Sequence, residues 1–411
     1  MGHAEPTPSP AASAPPAPSR PPGPSRAPAR RPRRVLALDH SAELGGAEIG
    51  LGHLATELGG GMDVALLDDG PFADLLRGRG VEPYLLDPAG AATGGVRRGG
   101  PLLAGASALR DQAARIRPRL LAALDDSGAD VLVCNTLRAA VLAALCRPPR
   151  RVRRIAMVRD GLRPPYLGAA RAVASRAAVA AAGHVAVANS AWTARSLWSL
   201  WSARPVHVMP PVIGREFFTE PVARPGGAVP RVLLLGRIAR WKGQLLGLHA
   251  AGLVPAGIPF ELTVAGGPWF GEEDYHREVR AAAAAMDRPR PELLGHVDAV
   301  RELVDAHDVV VHTSTVPEPF GQVVVQAMAR GRVVLAAGEG GPAEIVTPGS
   351  GLLYTPRDPA SLAAALTAVL RDEHRRRDLG RAARVRATDF HPGHSVRVFT
   401  DIVDSLREAT S

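Results

Sequence analysis

A single lysine stands among the 49 basic side chains of this 411-residue chain, and it falls within Gly236-Arg237-Ile238-Ala239-Arg240-Trp241-Lys242-Gly243. Where coding bias lets surface lysine drift to arginine, a retained lysine marks a place that needs a compact ammonium rather than a forked guanidinium. Asparagine is nearly as scarce, with Asn135 and Asn189 alone. Arg237 and Lys242, in the loop and at the helix start that follow a strand, form a candidate site for an anionic group such as a diphosphate. Two solvated cations are the bland alternative, but cations at a helix N-terminus oppose the helix dipole.

A second cluster runs from Thr313 through Pro317-Glu318-Pro319-Phe320-Gly321 to Gln326. A carboxylate in a proline-flanked loop, just before a glycine that opens a helix, brings Glu318 and the helix amides to one point. Glu318 is then placed to accept hydrogen bonds from sugar hydroxyls. Gln326, about two turns along, reaches a second polar group of the same ligand. The alternative is a loop acid near a helix start, where acids are favoured in any case. Gly338-Glu339-Gly340-Gly341-Pro342-Ala343-Glu344 and Glu43-Leu44-Gly45-Gly46-Ala47-Glu48 repeat the order of strand, glycine turn and helix.

These residues need strand ends to project from, and the pattern supplies them. From Arg34 onward short β-branched runs alternate with Ala/Leu-rich helical stretches, the signature of βαβ units. Strands are expected at 35–39, 64–67, 83–86, 131–134, 155–158, 185–188 and 206–209, then at 232–235, 262–265, 292–294, 309–312, 333–336 and 352–354. A Pro/Gly-rich connector around 210–230 separates the two series. The expected fold is therefore α/β, two Rossmann-like doubly wound domains over 34–212 and 213–390 facing each other across a cleft, with a last helix over 391–411 packing back on the first domain. Ligands bind beyond the carboxyl ends of such strands. On that rule Asn135, Arg159, Asp160 and Asn189 end first-domain strands and should line one wall, with Arg97 and Arg98 following the third strand. Asn189-Ser190 has helix capping as its alternative.

Composition narrows the function classes. Apolar residues are 46% and charged residues 22%, as in ordinary globular proteins. Residues 1–33 hold 11 prolines and no apolar period, and read as a disordered tail without the apolar core of a signal peptide. Six arginines and one glutamate in the first 34 residues account for +5 of the net +9, which leaves about +4 for the rest. That charge, with 17 aromatic residues, gives no case for nucleic-acid binding. The run 177–188 is broken by Gly183 and His184 and falls short of the roughly 20 apolar residues of a membrane span. A cytoplasmic location is expected, and Cys134 and Cys146 read as buried free thiols. The arginines at 147, 150, 151, 153 and 154 lie before the fifth strand, away from the cleft. A solvated patch is the preferred reading, with peripheral contact to anionic lipid the alternative.

Four stretches in this order, Gly45-Gly46-Ala47-Glu48, Gly236 to Gly243, Glu318 to Gly321, and Gly340 to Val346, resemble the retaining glycosyltransferases of family 4, which have the GT-B architecture. The resemblance covers nearly the whole chain after the tail. It implies transfer from a nucleoside-diphosphate sugar to an acceptor hydroxyl, with Arg237, Lys242 and Glu318 as catalytic residues. Donor contacts are implied for Gly45, Gly46, Gly236, Phe320, Gly321, Gln326 and His296, and acceptor-side contacts for Asn135, Arg159, Asp160 and Asn189. Gln326 stands where the family usually has a second glutamate, and Arg159-Asp160 where it often has His-Asp. No cofactor is expected, the nucleotide sugar being substrate. No metal is expected either, because Arg237 and Lys242 supply the positive charge. The paired acids Asp68-Asp69 and Asp125-Asp126 read as surface groups. Alternatives are an epimerase or phosphorylase with the same phosphate grip, or a non-catalytic sugar-nucleotide binder. The acceptor is not legible.

Overall fold

The computed structural model describes residues 34–88, 102–164, 166–197, 205–222, 229–269 and 271–408. The tail and Arg97 and Arg98 lie outside them. The first half runs β1 (Val35–Asp39), α1 (Gly46–Glu57), β2 (Met62–Leu66), α2 (Pro71–Gly78), β3 (Tyr84–Leu85), α3 (Leu102–Ser127), β4 (Val131–Cys134), α4 (Leu137–Cys146), β5 (Arg153–Val158), α5 (Ala169–Ala182), β6 (Val185–Ala188), α6 (Ala191–Arg195) and β7 (Val206–Val208). The second runs β8 (Arg231–Leu235), α7 (Gln244–Gly252), β9 (Glu261–Ala265), α8 (Glu273–Ala284), β10 (Glu292–Gly295), α9 (Val300–Asp305), β11 (Val309–His312), α10 (Gln322–Ala329), β12 (Val333–Ala337), α11 (Pro342–Ile345), β13 (Leu352–Tyr354), α12 (Pro359–Leu370) and α13 (Glu373–Ala387). The chain then enters α14 (Pro392–Glu408).

Each series forms its own parallel sheet, in the orders β3-β2-β1-β4-β5-β6-β7 and β10-β9-β8-β11-β12-β13. The central strands, such as Val35–Asp39 and Val309–His312, are buried along their length because helices cover both faces. In both sheets the order reverses at one place, between β1 and β4 and between β8 and β11. The connections after these strands diverge there and leave a crevice, the place where doubly wound sheets take ligands. The loops carrying Gly45-Gly46, Arg237 to Lys242, and Glu318 all leave strands at these two points.

The run 177–188 is divided between the end of α5 and β6. Among the described residues no helix is long and apolar enough to cross a membrane. Cys134 and Cys146 are buried and free, and burial pushes their thiols up to about 12 and about 11.

Two packing features tie the halves together. In α14, Phe399, Ile402, Val403 and Leu406 repeat at helical spacing and are buried in the core under the first sheet with Leu51, Leu54 and Met62. At about 1.5–3 kcal/mol per fully buried side chain, this stripe holds the last helix on the first domain. The connector is fixed on the other side. Arg330, wholly buried, pairs through two nitrogens with Asp305 (2.7 and 2.8 Å) and donates to the carbonyls of Thr219 and Glu220 (both 2.9 Å), and Arg332 donates to Val222 O (2.7 Å). The connector up to Val222 is thus bonded to the second domain's core.

Candidate active site

The carboxyl ends of both sheets line one cavity of about 580 Å³. Gly45, Gly46, Arg159, Asp160 and Asn189 line it from the first domain, and Gly236, Arg237, Lys242, His296, Glu318, Phe320, Gly321 and Gln326 from the second.

On the second domain's wall, Gly236 follows β8 and a short 3₁₀ turn, Arg240–Lys242, leads into α7. Gly243 sits at φ +70°, and a Cβ there would lie 2.2 Å from the Thr313 carbonyl, so only glycine lets this turn pack on the β11 loop. The close packing brings the two motifs into contact. Lys242 Nζ lies 2.5 Å from Glu318 Oε2, to which Ser314 Oγ also donates (3.0 Å), with His312 Nε2 at 3.4 Å. Burial alone would raise the Glu318 carboxyl, but the Lys242 ammonium and His312 outweigh it and hold it well below the usual carboxylate range. Glu318 is a fixed anion. Lys242 also lies over the Trp241 ring, 4.2 Å from its centroid, with the Arg237 guanidinium at 5.8 Å from the same ring. Trp269 and His296 stand edge to face at 4.8 Å, and His296 Nε2 is 2.9 Å from Asp298. Gly321, at φ +101°, opens α10, along which Gln326 is half-buried.

The first domain's wall is built differently. Asn135 follows β4 directly but is fully buried and lies behind the cavity, which corrects the expectation that it lines the wall. Its Nδ2 donates to Asp39 Oδ2 (2.5 Å), and its Oδ1 accepts from Arg159 Nη2 (2.6 Å) and Nε (3.1 Å). A scarce asparagine at a strand end is here a bracket between a buried acid and a half-buried base. Asp39 Oδ1 accepts from the backbone of His40 (2.6 Å) and Ser41 (3.1 Å), and His40 Nδ1 is 2.7 Å from Thr136 Oγ1. Glu48, in the first turn of α1, is buried against this cluster and lines the cavity. Burial and the Asp39 charge push its carboxyl up to about 7, against the pull of His40 and Arg159. Asp160 is exposed and accepts from Tyr166 OH (2.8 Å). Asn189 donates to Arg159 O (3.3 Å), and it is Ser190 that caps α6 by accepting from Thr193 N.

Reading the sequence missed His312, Ser314, Trp241, Asp39 and Glu48 as site groups. His312 and Asp39 are the last residues of their strands, a position that could have flagged them. Asp69 pairs with Arg77, and Asp125 with Arg151, as surface acids.

Two doubly wound domains with a ligand-sized cavity between their strand ends make up the GT-B architecture. Residues 222–386 match the family described as glycosyl transferases group 1. The D-inositol 3-phosphate glycosyltransferase of Paenarthrobacter aurescens is 29% identical over 224 residues, 50% of this chain and 52% of that protein. A glycogen synthase of Mycobacterium tuberculosis is 38% identical over 119 residues, 28% of this chain and 26% of its own. The chain spans about half the length, or less, of the curated relatives it matches. Among solved structures, Anabaena HepE in complex with UDP-glucose superposes with a TM-score of 0.75 at 24% identity, over 90% of this chain and 99% of that one. The sucrose-phosphate synthase of Thermosynechococcus elongatus gives 0.73 at 20% identity, over 91% and 99%. These structures share the fold across both domains.

Proposed function

We propose that the chain transfers a sugar from a nucleoside-diphosphate sugar to an acceptor hydroxyl, with retention of anomeric configuration and without a metal ion. The observation that carries this reading is the Lys242–Glu318 pair at the joint carboxyl ends of β8 and β11. With Oε2 engaged by Lys242, Ser314 and His312, Glu318 keeps Oε1 for a donor-sugar hydroxyl. Arg237 and Lys242 neutralise the charge that grows on the departing diphosphate, the term that dominates when no covalent chemistry is asked of the protein. The leaving phosphate oxygen takes the acceptor proton, so no pair of carboxylates has to flank the bond. The hydroxyl enters from the side of Arg159, Asp160 and Asn189. A structural relative is solved with UDP-glucose, which makes UDP-sugars the first donors to try.

The test is a thermal-shift panel of UDP-, GDP- and ADP-sugars, where saturation at 100 times the dissociation constant stabilises by about 2.7 kcal/mol. Transfer from the stabilising donor is then followed by NMR of the product's anomeric proton. Retention, undiminished by EDTA, is expected. Inversion, or activity lost to EDTA, would contradict the mechanism. Interconversion of the donor with no acceptor present would favour an epimerase.

A further inference from the structure

The loop that carries Glu318 is held by its backbone as well as its side chain, and part of that hold comes from the other domain. On one side the Gly341 N–H donates to Glu318 O at 2.7 Å. A Cβ at Gly340 would lie 2.4 Å from that same oxygen, and one at Gly341 2.5 Å from Phe320 Cα, so the glycine pair lets the turn before α11 lie flat on the loop. On the other side Ser190 Oγ, from the first domain, donates to Pro319 O at 2.6 Å, with Thr193 Oγ1 at 3.4 Å from the same oxygen. Both hydroxyl residues are buried. The ring is closed by α11. Its Glu344 carboxylate accepts from the Ala191 N–H (3.0 Å) and from Arg195 (2.8 Å), the residues that follow Ser190. On the opposite flank Gln322 Nε2 donates to Gly46 O at 2.6 Å.

We infer that Ser190 and Glu344 form an interdomain latch through which closure of the first domain sets the loop bearing Glu318, which makes Ser190 a positioning residue acting through Pro319. The role assigned to Glu318 rests on the transfer reading above; the latch itself rests on contacts between the domains. Parting the domains must break the Ser190–Pro319 and Glu344–Ala191 bonds together and free the carbonyl next to Glu318. A neutral hydrogen bond of this kind is worth a factor of about 2–12 in an equilibrium, and the bond with a charged partner more. A few such bonds bias a two-state closure without freezing it. The Gly340-Gly341…Glu344 motif thereby gains a physical reason: two glycines for contact with the loop, and an acid that spans to the other domain.

The test uses the full chain with spin labels on cysteines replacing the exposed Asp126 and Arg375, one in each domain; the native cysteines are buried. Electron–electron distances are measured with UDP as the probe. The labelled parent should give one short distance. Ser190→Ala and Glu344→Ala should each populate a longer one by at least about twofold over the parent, and Ser190→Thr, which keeps the hydroxyl, should restore the short one. With the best donor, Ser190→Ala should lower kcat by about 2–12-fold while donor KM moves less than twofold. Distances in both alanine variants that match the parent would overturn the latch, as would a parent lacking the short distance. Should Ser190→Ala fold poorly, Glu344→Ala, altered at a partly exposed position, carries the decision. A parent that transfers no sugar would sink the transfer reading, while the distances would still decide the latch.

Discussion

The two walls of the cavity handle charge in opposite ways. On the second domain's wall Lys242 and Glu318 meet within hydrogen-bond distance, both close to the cavity, and the carboxylate stays ionised through the working pH range. On the first domain's wall the buried Asp39, Asn135 and Glu48 and the half-buried Arg159 form a network in which an amide separates acid from base and one carboxyl is pushed up to about 7. Fixed charges suit a partner that always carries charge, such as a diphosphate. A nearly neutralised wall suits a group that must stay neutral and be oriented, such as a hydroxyl. Under the proposed transfer, the cleft divides donor from acceptor by electrostatics as well as by shape.

The largest expected effect breaks the charged wall. Lys242→Ala should lower turnover by about 10²–10³, as for loss of one donor to developing negative charge. Lys242→Arg should fail as well, because a guanidinium does not fit the compact place between Glu318 and the Trp241 ring. Steady-state kinetics checks both, and near-normal turnover in the arginine variant would remove the site. Opposite it, Asn135→Ala should cost about 1–3 kcal/mol in urea unfolding, since it takes a partner from the buried Asp39 carboxylate and from the half-buried Arg159 guanidinium.

Glu48 sharpens the contrast through pH. Its carboxyl is raised from 4.5 to about 7, so between those values the folded state holds a proton that the unfolded chain has lost, and this group's contribution to stability falls as pH rises. His53, lowered from 6.5 to about 4 by burial and Arg79, works in the other direction over pH 4–6.5 and masks part of the fall. Glu48→Gln should therefore gain on the wild type by on the order of 1–3 kcal/mol from pH 4.5 to 7. Thermal melts across that range check it, and parallel curves would show that Glu48 is ionised throughout.

The smallest effect belongs to Gln326. In the donor contact that the family resemblance implies, the Gln326 amide holds a ligand hydroxyl through a neutral bond, worth about 0.5–1.5 kcal/mol against about 1.5–3 with a charged acceptor. Gln326→Glu should thus lower donor KM by up to about tenfold with kcat unchanged, the contact being equal in ground and transition states.

Both sheets were legible from strand runs and turn residues, with edges shifted by one or two residues, as where β5 begins at Arg153 rather than Ile155 and β2 at Met62 rather than Val64. The charged wall was legible because its residues sit in short contiguous motifs at strand ends. Even so, the motifs could not say that Lys242 and Glu318 touch, since that needs the packing of Gly243 on Thr313. The network of the other wall draws single residues from β1, α1, β4 and the end of β5, and no local spacing joins Asp39 to Asn135, 96 residues away. Asn135 is thus expected to line the cleft wall from its place in the sequence, whereas it is buried at the network's centre. Ser190 was seen as a cap, and its second bond, across 129 residues to Pro319, follows only from the meeting of the domains.

The division between the walls is tested most directly by calorimetric titration of UDP into Lys242→Ala, Arg159→Ala and Asp160→Ala proteins, set beside their rates of sugar transfer. Lys242→Ala is expected to weaken UDP by at least about tenfold, the worth of a bond to a charged partner. Arg159→Ala and Asp160→Ala should leave UDP affinity within twofold while transfer falls at least about tenfold. Loss of UDP affinity in step with transfer in the Arg159 and Asp160 variants would contradict it, for those residues would then belong to the donor.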